Sequence, residues 1–308
     1  MPTTDVAATA VPARPHGWDL TAIGTRWRVD TPEPPATEVI DAVDLLVADF
    51  DRAYSRFRPD SLVAELATTG GPVAFPDSVV GILDLYERLR AATDGAIDPL
   101  IGGSMVRLGD DAEHTLRPHG PPSPAPGPGA LHRRGTVLTL RPHAEAPAVL
   151  DIGALGKGWL VDEVTGLLAD HGITAAVVDA SGDLRAHGAP IRVALEHPWD
   201  PSRAIGVLTL ADGALASSAT NRRRWGQGLH HVLDARTGAP VERVTATWAV
   251  AETAALADGL ATALFHTTPE TLSDAGFAFE CTRVFTDGTL QHRPGPRPHP
   301  ATSWEFFR

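Results

Sequence analysis

Beyond its first two residues, the segment ETAALADGLATALF at 252–265 is apolar except for two polar residues and a glycine. Asp258 and Thr262 are four residues apart, so on a helix their side chains lie on one face, one turn apart. A carboxylate buried there costs several kcal/mol of desolvation unless a cation meets it. Three interpretations are open: the carboxylate faces water, forms a salt bridge with an arginine, or binds a metal ion.

A glycine-rich segment, DIGALGKG at 151–158, is a second candidate. Its three glycines surround Asp151 and Lys157 at the point where a predicted strand gives way to a helix. Glycine lets the backbone approach a ligand closely, and the start of a helix offers free N–H groups to a phosphate. The spacing fits neither a Walker A loop nor a dinucleotide fingerprint. The segment is therefore either a structural turn or an anion site of another kind.

Paired histidines occur in GLHHVLDARTGAP at 228–240. The spacing is not that of a zinc-binding helix, so the pair alone does not predict a metal. Neighbouring side chains of a strand point to opposite faces, and at most one of His230 and His231 easily enters a given site. One of them is a candidate proton acceptor.

Three further polar segments are DGAIDPLIGG (94–103), SGDLRAHG (181–188) and SSATNRRRWGQG (217–228). Ordinary turn chemistry explains the first two. The arginine triplet of the third is typical of a solvated edge, and it could also border an anionic ligand.

The elements that must position these residues follow from periodicity. Helical spacing predicts helices over TEVIDAVDLLVADFDRAYSRF, from about 77 to 93, and after Lys157. Short strand candidates outnumber helices and are separated by turn residues. The sequence therefore predicts an α+β fold of mixed, mainly antiparallel sheets flanked by helices.

The predicted organisation is one domain over residues 19–292, with a disordered N-terminus at 1–18 and a loosely attached tail at 293–308. Residues 117–134 are so rich in Pro and Gly that they predict an exposed, mobile loop inside the domain. The alternative is a linker between two independent domains.

Charge and composition exclude several classes of protein. The net charge of −12 argues against a general nucleic-acid binder. A single cysteine, Cys281, excludes an internal disulfide framework and a thiolate-rich zinc site. The sequence has no apolar run that could span a bilayer and no recognisable signal peptide or lipoprotein leader, so we expect a cytoplasmic protein without direct membrane insertion.

The order of these segments is more specific than any of them alone. The sequence resembles the ApbE-type FAD:protein FMN transferase family along nearly its whole length. The matching segments are IGT, FRPDSLVAEL, DGAIDP, DIGALGKGWLVD, SGDLRAHG, HHVLDARTG and ADGLATALF. The resemblance implies an ApbE-like fold related to the T-fold.

The resemblance also implies a set of ligands. Mg²⁺ would be bound by the side chains of Asp258 and Thr262 and by the backbone carbonyls of Ala154 and Ala261, and an oxygen-rich site of this kind suits magnesium. His231 would be the general base or a substrate-orienting group, with Lys157 and Asp258 also catalytic. The residues implied to bind FAD are Ile23, Phe57, Ala96, Ile97, Asp98, Asp151, Lys157 and His231.

The implied reaction is Mg²⁺-dependent transfer of FMN from FAD to a Ser or Thr hydroxyl of an acceptor flavoprotein, with release of AMP. Two alternatives are a Mg²⁺-dependent FAD pyrophosphatase and a flavin-binding protein without turnover. DARTG and SSATNRRRW depart from the family's usual segments, and the second departure could set acceptor or flavin preference. No departure removes an implied metal ligand or Lys157.

Overall fold

A computed structural model of the protein describes residues 16–141, 148–188, 190–295 and 302–307. Most of the predicted disordered N-terminus, residues 1–15, lies outside the described residues. Its last three residues were predicted wrongly, because the first strand begins at His16 and pairs with the next strand along the chain.

The described residues form seven helices and eighteen strands. The helices are α1 (Thr37–Tyr54), α2 (Leu62–Thr69), α3 (Ser78–Ala92), α4 (Gly102–Arg107), α5 (Gly156–Asp170), α6 (Ala254–Ala263) and α7 (Pro269–Asp274). The strands are β1 (His16–Ala22), β2 (Thr25–Thr31), β3 (Val73–Ala74), β4 (Leu131–Arg134), β5 (Val137–Leu140), β6 (Ala176–Asp179), β7 (Asp183–His187), β8 (Ile191–His197), β9 (Asp200–Leu210), β10 (Gly213–Ala219), β11 (Arg224–Trp225), β12 (Leu229–His230), β13 (Leu233–Asp234), β14 (Ala239–Pro240), β15 (Val244–Ala251), β16 (Glu280–Phe285), β17 (Leu290–Arg293) and β18 (Ser303–Phe306).

One large sheet organises the molecule. Its eight strands follow the order β1-β2-β6-β7-β10-β15-β16-β17, and every neighbouring pair is antiparallel. Two three-stranded sheets, β18-β9-β8 and β3-β5-β4, and two short two-stranded ribbons complete the strand set. The predicted α+β class with mainly antiparallel sheets is confirmed.

The central strand β15 is buried along its whole length, because both faces of the large sheet are covered. Trp248 and Val250 face the three-stranded sheet β18-β9-β8. Ala249 and Ala251 face the helices, in the main core. The small side chains on the helix side let a helix lie close to the sheet, which explains an apolar run without alternation in the sequence.

Helix α6 occupies that close position, against β10 and β15. The Thr253 hydroxyl caps its start by accepting from Leu256 N at 3.2 Å. The Asp162 carboxylate, on α5, accepts from the first two amides of α6, Ala254 N at 2.9 Å and Ala255 N at 2.8 Å. Two caps satisfy amides that a helix start otherwise leaves unpaired, so the position of α6 relative to α5 is fixed.

The C-terminal tail was predicted to be loosely attached, and its described part differs from that expectation. Strand β18 pairs with β9, and Trp304 and Phe306 pack against the core between the large sheet and β18-β9-β8. Trp304 Nε1 also donates to Glu280 Oε2 at 2.9 Å. Two aromatic side chains in a short segment were the signal for a covered strand.

The Pro-rich loop at 117–134 is joined to the rest of the domain by hydrogen bonds that its composition did not predict. Ala125 N donates to Ala235 O at 2.8 Å, and Ser123 N donates to Ser104 Oγ at 3.2 Å. Its last four residues form β4, which pairs with β5. None of the described helices is long and apolar enough to cross a membrane.

Candidate active site

The buried carboxylate of Asp258 lies where α5 and α6 cross. Its Oδ2 accepts from Gly158 N, in the first turn of α5, at 3.0 Å. One turn along α6, the Thr262 hydroxyl lies 3.3 Å from Ala154 O, in the segment just before α5. The structure therefore brings together three of the four predicted metal ligands: Asp258, Thr262 and Ala154.

A second buried carboxylate lies beside the first. Lys157 Nζ is 2.6 Å from Asp183 Oδ2, and the Asp183 side chain is fully buried. Burial lowers the pKa of Lys157, but the negative charges of Asp183 and Asp258 raise it by more. Asp183 begins β7 in the SGD turn, which sequence reasoning interpreted as possible punctuation; an acid directly before an apolar strand was the available signal.

The cluster of Lys157, Asp183 and Asp258 contains two carboxylates and one ammonium group. Burial raises the pKa of Asp258 well above its ordinary value, and the charge of Asp183 raises it further; Lys157 opposes both effects. Burial likewise raises the pKa of Asp183. When both carboxylates are ionised the cluster has an excess negative charge, which a bound cation would neutralise. No described arginine pairs with Asp258, so the arginine salt bridge is not the arrangement found.

The oxygen atoms at this place fit magnesium. A hard cation takes carboxylate, hydroxyl and carbonyl oxygens in an octahedron, with bonds of about 2.1 Å and adjacent ligands about 3 Å apart. The 3.3 Å separation of Thr262 Oγ1 and Ala154 O is close to that spacing. Ala261 O differs, because it accepts from Thr247 Oγ1 at 2.7 Å. The described residues contain no group of three His, Cys, Asp or Glu side chains that could hold a metal, so carbonyl and hydroxyl ligands are needed.

Gly158 determines how close the two helices come. A Cβ on this glycine would lie 2.2 Å from Ala254 O, a backbone atom that cannot move aside alone. Gly259, by contrast, faces the flexible end of Leu89 on α3, so packing between helices accounts for a glycine there.

We expect Gly158→Ala to lower the free energy of unfolding by about 1–3 kcal/mol, because overpacking forces α5 and α6 apart. The matched control is Gly166→Ala in the same helix, where an added Cβ meets nothing within 4 Å; it should stabilise by about 0.5–1 kcal/mol. Urea unfolding of both variants measures the difference. Equal effects would contradict the role given to Gly158.

The two histidines have different surroundings. His230 is buried, with Nε2 donating to Val241 O at 2.9 Å and Nδ1 accepting from Val232 N at 3.3 Å. His231 Nδ1 is buried and has no hydrogen-bond partner among the described residues. Burial lowers the pKa of His231 to about 4, and the positive charges of Arg223, His230 and Lys157 lower it too. His231 is therefore neutral at physiological pH and can accept a proton.

A buried arginine holds the glycine-rich segment, and sequence reasoning missed it. Arg56 Nε donates to Asp151 Oδ2 at 2.6 Å, and the same guanidinium donates to the backbone carbonyl and carboxylate of Asp110. Asp151 Oδ1 accepts from Gly153 N at 2.6 Å. The Asp110 carboxylate also lies 3.7 Å from Arg223. A chain of charges thus runs from Asp151 to the arginine beside His231.

The loop implied to contact FAD, Ala96 to Asp98, is held from several sides. Asp98 accepts from Arg90 Nε and from Leu100 N, both at 2.9 Å. Ala96 O accepts from Ala235 N at 2.9 Å, and Ile97 packs in the main core. These contacts engage the Asp98 carboxylate with protein groups and join the loop to the DARTG segment.

Two apolar residues implied to contact FAD lie in different parts of the fold. Phe57 is half-buried and stacks on His114, with ring centroids 4.9 Å apart. Ile23 lies in the β1–β2 turn with φ of 43° and packs against the main core.

The SGD turn also contacts strand β2. Ser181 Oγ, in this turn, donates to Arg26 O at 2.6 Å. The start of β2 therefore lies beside the turn that carries Asp183.

Several known proteins that this chain resembles in sequence or in fold are named as flavin transferases. "FAD:protein FMN transferase" proteins of Escherichia coli (strain K12) and Treponema pallidum are 25% identical over 289 residues and 29% identical over 285. These matches cover 84% and 79% of this chain, and 82% and 76% of the relatives. The flavin transferase ApbE from Vibrio cholerae has the same fold, with a TM-score of 0.73 at 23% identity over 91% of this chain and 97% of that one. The ApbE family model matches residues 23–275, and the chain belongs to the ApbE family.

Proposed function

We propose that this protein transfers FMN from FAD to a Ser or Thr hydroxyl of an acceptor protein, in a Mg²⁺-dependent reaction that releases AMP. The observation that carries the proposal is the buried cluster of Lys157, Asp183 and Asp258, whose excess negative charge calls for a cation. The relatives named FAD:protein FMN transferase supply the substrate class.

The proposed metal ligands are the Asp258 carboxylate, the Thr262 hydroxyl and the Ala154 carbonyl, with Ala261 O as a further candidate. When bound, Mg²⁺ supplies positive charge against the non-bridging oxygens of a diphosphate. Lys157 would add a second positive charge from the first turn of α5. Asp151 and the Ala96 to Asp98 loop would hold the nucleotide.

The remaining demand is removal of a proton from the attacking hydroxyl. The hydroxyl oxygen forms a bond to the FMN-side phosphorus while the bond from that phosphorus to the bridging oxygen breaks, and AMP leaves with that oxygen. His231 accepts the hydroxyl proton, because its low pKa keeps it neutral and its Nδ1 lacks another partner among the described residues.

The test uses FAD, MgCl₂ and an immobilised panel of short synthetic peptides, each with a single Thr. AMP is measured by chromatography, and bound flavin by fluorescence after the peptides are washed under denaturing conditions. Equal amounts of AMP and peptide-bound flavin are expected. AMP with free FMN alone would favour the pyrophosphatase, and intact FAD would favour a binding protein; either outcome overturns the proposal.

His231→Gln is expected to lower the rate of peptide flavinylation by about 10²–10⁴-fold, the usual contribution of a general base. For the wild type at saturating MgCl₂ and FAD, where a bound cation keeps Asp258 ionised, the acid limb of the pH profile should fall near pH 4, where His231 gains its proton, and not near 6.5. The control is His230→Gln, which keeps an amide able to hydrogen-bond near Val241 and should leave this limb in place. An acid limb near 6.5, or full activity of His231→Gln, would exclude His231 as the base.

A further inference from the structure

A polar cleft lies on the opposite face of the large sheet from α5 and α6. It has a volume of about 190 Å³ and opens between β8 and the end of β10. Its walls include Val193, Glu196, Ser217, Asn221, Arg222 and Trp248. The proposed chemistry uses none of these side chains.

The end of β10 is a strand edge within this cleft. Strand β10 pairs with β15 through Ala219, but with β7 only through Ala216, and the last contact on the β7 side is Ser217 N to Gly182 O at 2.8 Å. Because alternate residues of a strand turn their amides to the same side, Ala219 N faces the β7 side as well. No described strand pairs there, so the edge can take an added strand.

Side chains around this edge can complete the recognition of a peptide. Asn221 Nδ2 donates to Pro198 O at 2.9 Å, while its Oδ1 is buried and accepts from no described group. Arg222 and Glu196 form an ion pair of 2.9 Å at the rim. A buried oxygen without a partner is costly unless a ligand donates to it. Amide N–H groups of an extended peptide are suitable donors.

The cleft meets the candidate active site at the SGD turn and the arginine triplet. Gly182 lines the cleft, and the carboxylate of the next residue, Asp183, pairs with Lys157. Likewise Arg222 lines the cleft, while the positive charge of the next residue, Arg223, lowers the pKa of His231. The same two segments therefore border both the cleft and the surroundings of the proposed base.

We propose that an extended segment of the acceptor protein binds in this cleft as a short strand beside Ser217–Ala219 and presents its hydroxyl to His231. The inference rests on the proposed function and assigns its acceptor site. Recognition comes from backbone hydrogen bonds to β10, from Asn221 Oδ1, and from the charged pair at the rim. The acceptor is thus read in part by shape and backbone, as in other strand-addition complexes.

The test measures KM separately for FAD and for the most efficient Thr peptide of the panel. Ser217→Leu, which fills the cleft, and Arg222→Glu, which places two carboxylates at its rim, should each raise KM for the peptide at least about fivefold. KM for FAD, and kcat at saturating peptide, should change by less than about twofold. The matched control is Arg192→Glu; Arg192 lies on β8, the strand that carries Glu196, and pairs with Glu305 outside the cleft.

Peptide chemistry tests the strand directly. Resynthesis of the same peptide with single N-methyl groups should abolish acceptance at alternate positions, because methylation removes the donors of a strand ladder. Unchanged KM for the peptide in both variants overturns the proposal, as does a rise in KM for FAD, which would assign the cleft to the nucleotide. Failure of every peptide, whether FAD stays intact or is split to AMP and free FMN, counts against the proposed function and not against the cleft alone.

Discussion

Asp258→Asn is expected to stabilise the metal-free protein and to abolish flavin transfer. Burial and the neighbouring Asp183 raise the pKa of Asp258, so its ionised form destabilises the folded state. A carboxyl group whose pKa is higher in the folded state than in the unfolded state stabilises the fold at low pH. That stability is lost as the pH rises from the unfolded pKa, near 3.9, through the folded pKa. At neutral pH the neutral amide avoids this cost and can still accept from Gly158 N.

The measurement is the melting temperature in EDTA and in MgCl₂ with FAD. In EDTA, Asp258→Asn should melt at least about 2 °C above the wild type. Adding MgCl₂ and FAD should raise the melting temperature of the wild type but not that of the variant. The control is Asp49→Asn, an exposed acid on α1, which should behave as the wild type. If Asp258→Asn lowers stability in EDTA, the carboxylate has a structural partner and the metal proposal loses its basis.

Lys157→Met is expected to destabilise the protein strongly and to stop catalysis. The substitution leaves Asp183 and Asp258 buried without their cation, and breaking a buried pair in this way costs about 3–5 kcal/mol. Lys157 is the only lysine in the sequence, among 26 Lys and Arg in total. Every other residue of the Lys and Arg total is arginine, so position 157 is where the chain has a compact ammonium group instead of a guanidinium.

Urea unfolding at several pH values measures the effect. Lys157→Met should recover stability as the pH is lowered, because protonation of the two raised-pKa carboxyls removes their charge. The comparison is Arg185→Met, which breaks an ion pair with Asp162, a carboxylate more exposed than Asp183. Asp162 keeps its hydrogen bonds to Ala254 N and Ala255 N, so this variant should lose less. An equal loss of unfolding free energy in both variants, without pH dependence, would show that Lys157 does not neutralise two buried carboxylates.

The parts of the site that lie close together in sequence were predictable. Asp258 and Thr262 share a helix face because of their spacing, and both lie at the crossing with α5. The glycine-rich segment starts a helix as expected, since Gly156 begins α5. Family resemblance, and not periodicity, supplied the metal and nucleotide roles, and these roles remain proposals.

The parts that depend on pairing across long separations were not predictable. Arg56 and Asp151 are 95 residues apart, and an arginine after a helix carries no sign of its partner. The buried position of Asp183 was not predicted, because a polar residue in a turn ordinarily faces water. The attachment of the described tail was predicted wrongly because its proline-rich composition suggested a loose segment. Trp304 and Phe306 are covered only because β18 pairs with β9, a pairing that local sequence does not reveal.

The hydrogen bond from Gly158 to Asp258 joins residues that are 100 positions apart. During synthesis, the residues of α5 leave the ribosome long before Asp258, the partner of Gly158 N, has been translated. A nascent chain therefore lacks the proposed metal ligands Asp258 and Thr262 until α6 emerges and packs against α5, where Asp162 caps its start. Truncated products that end before this helix lack both proposed ligand side chains, however well their earlier strands fold.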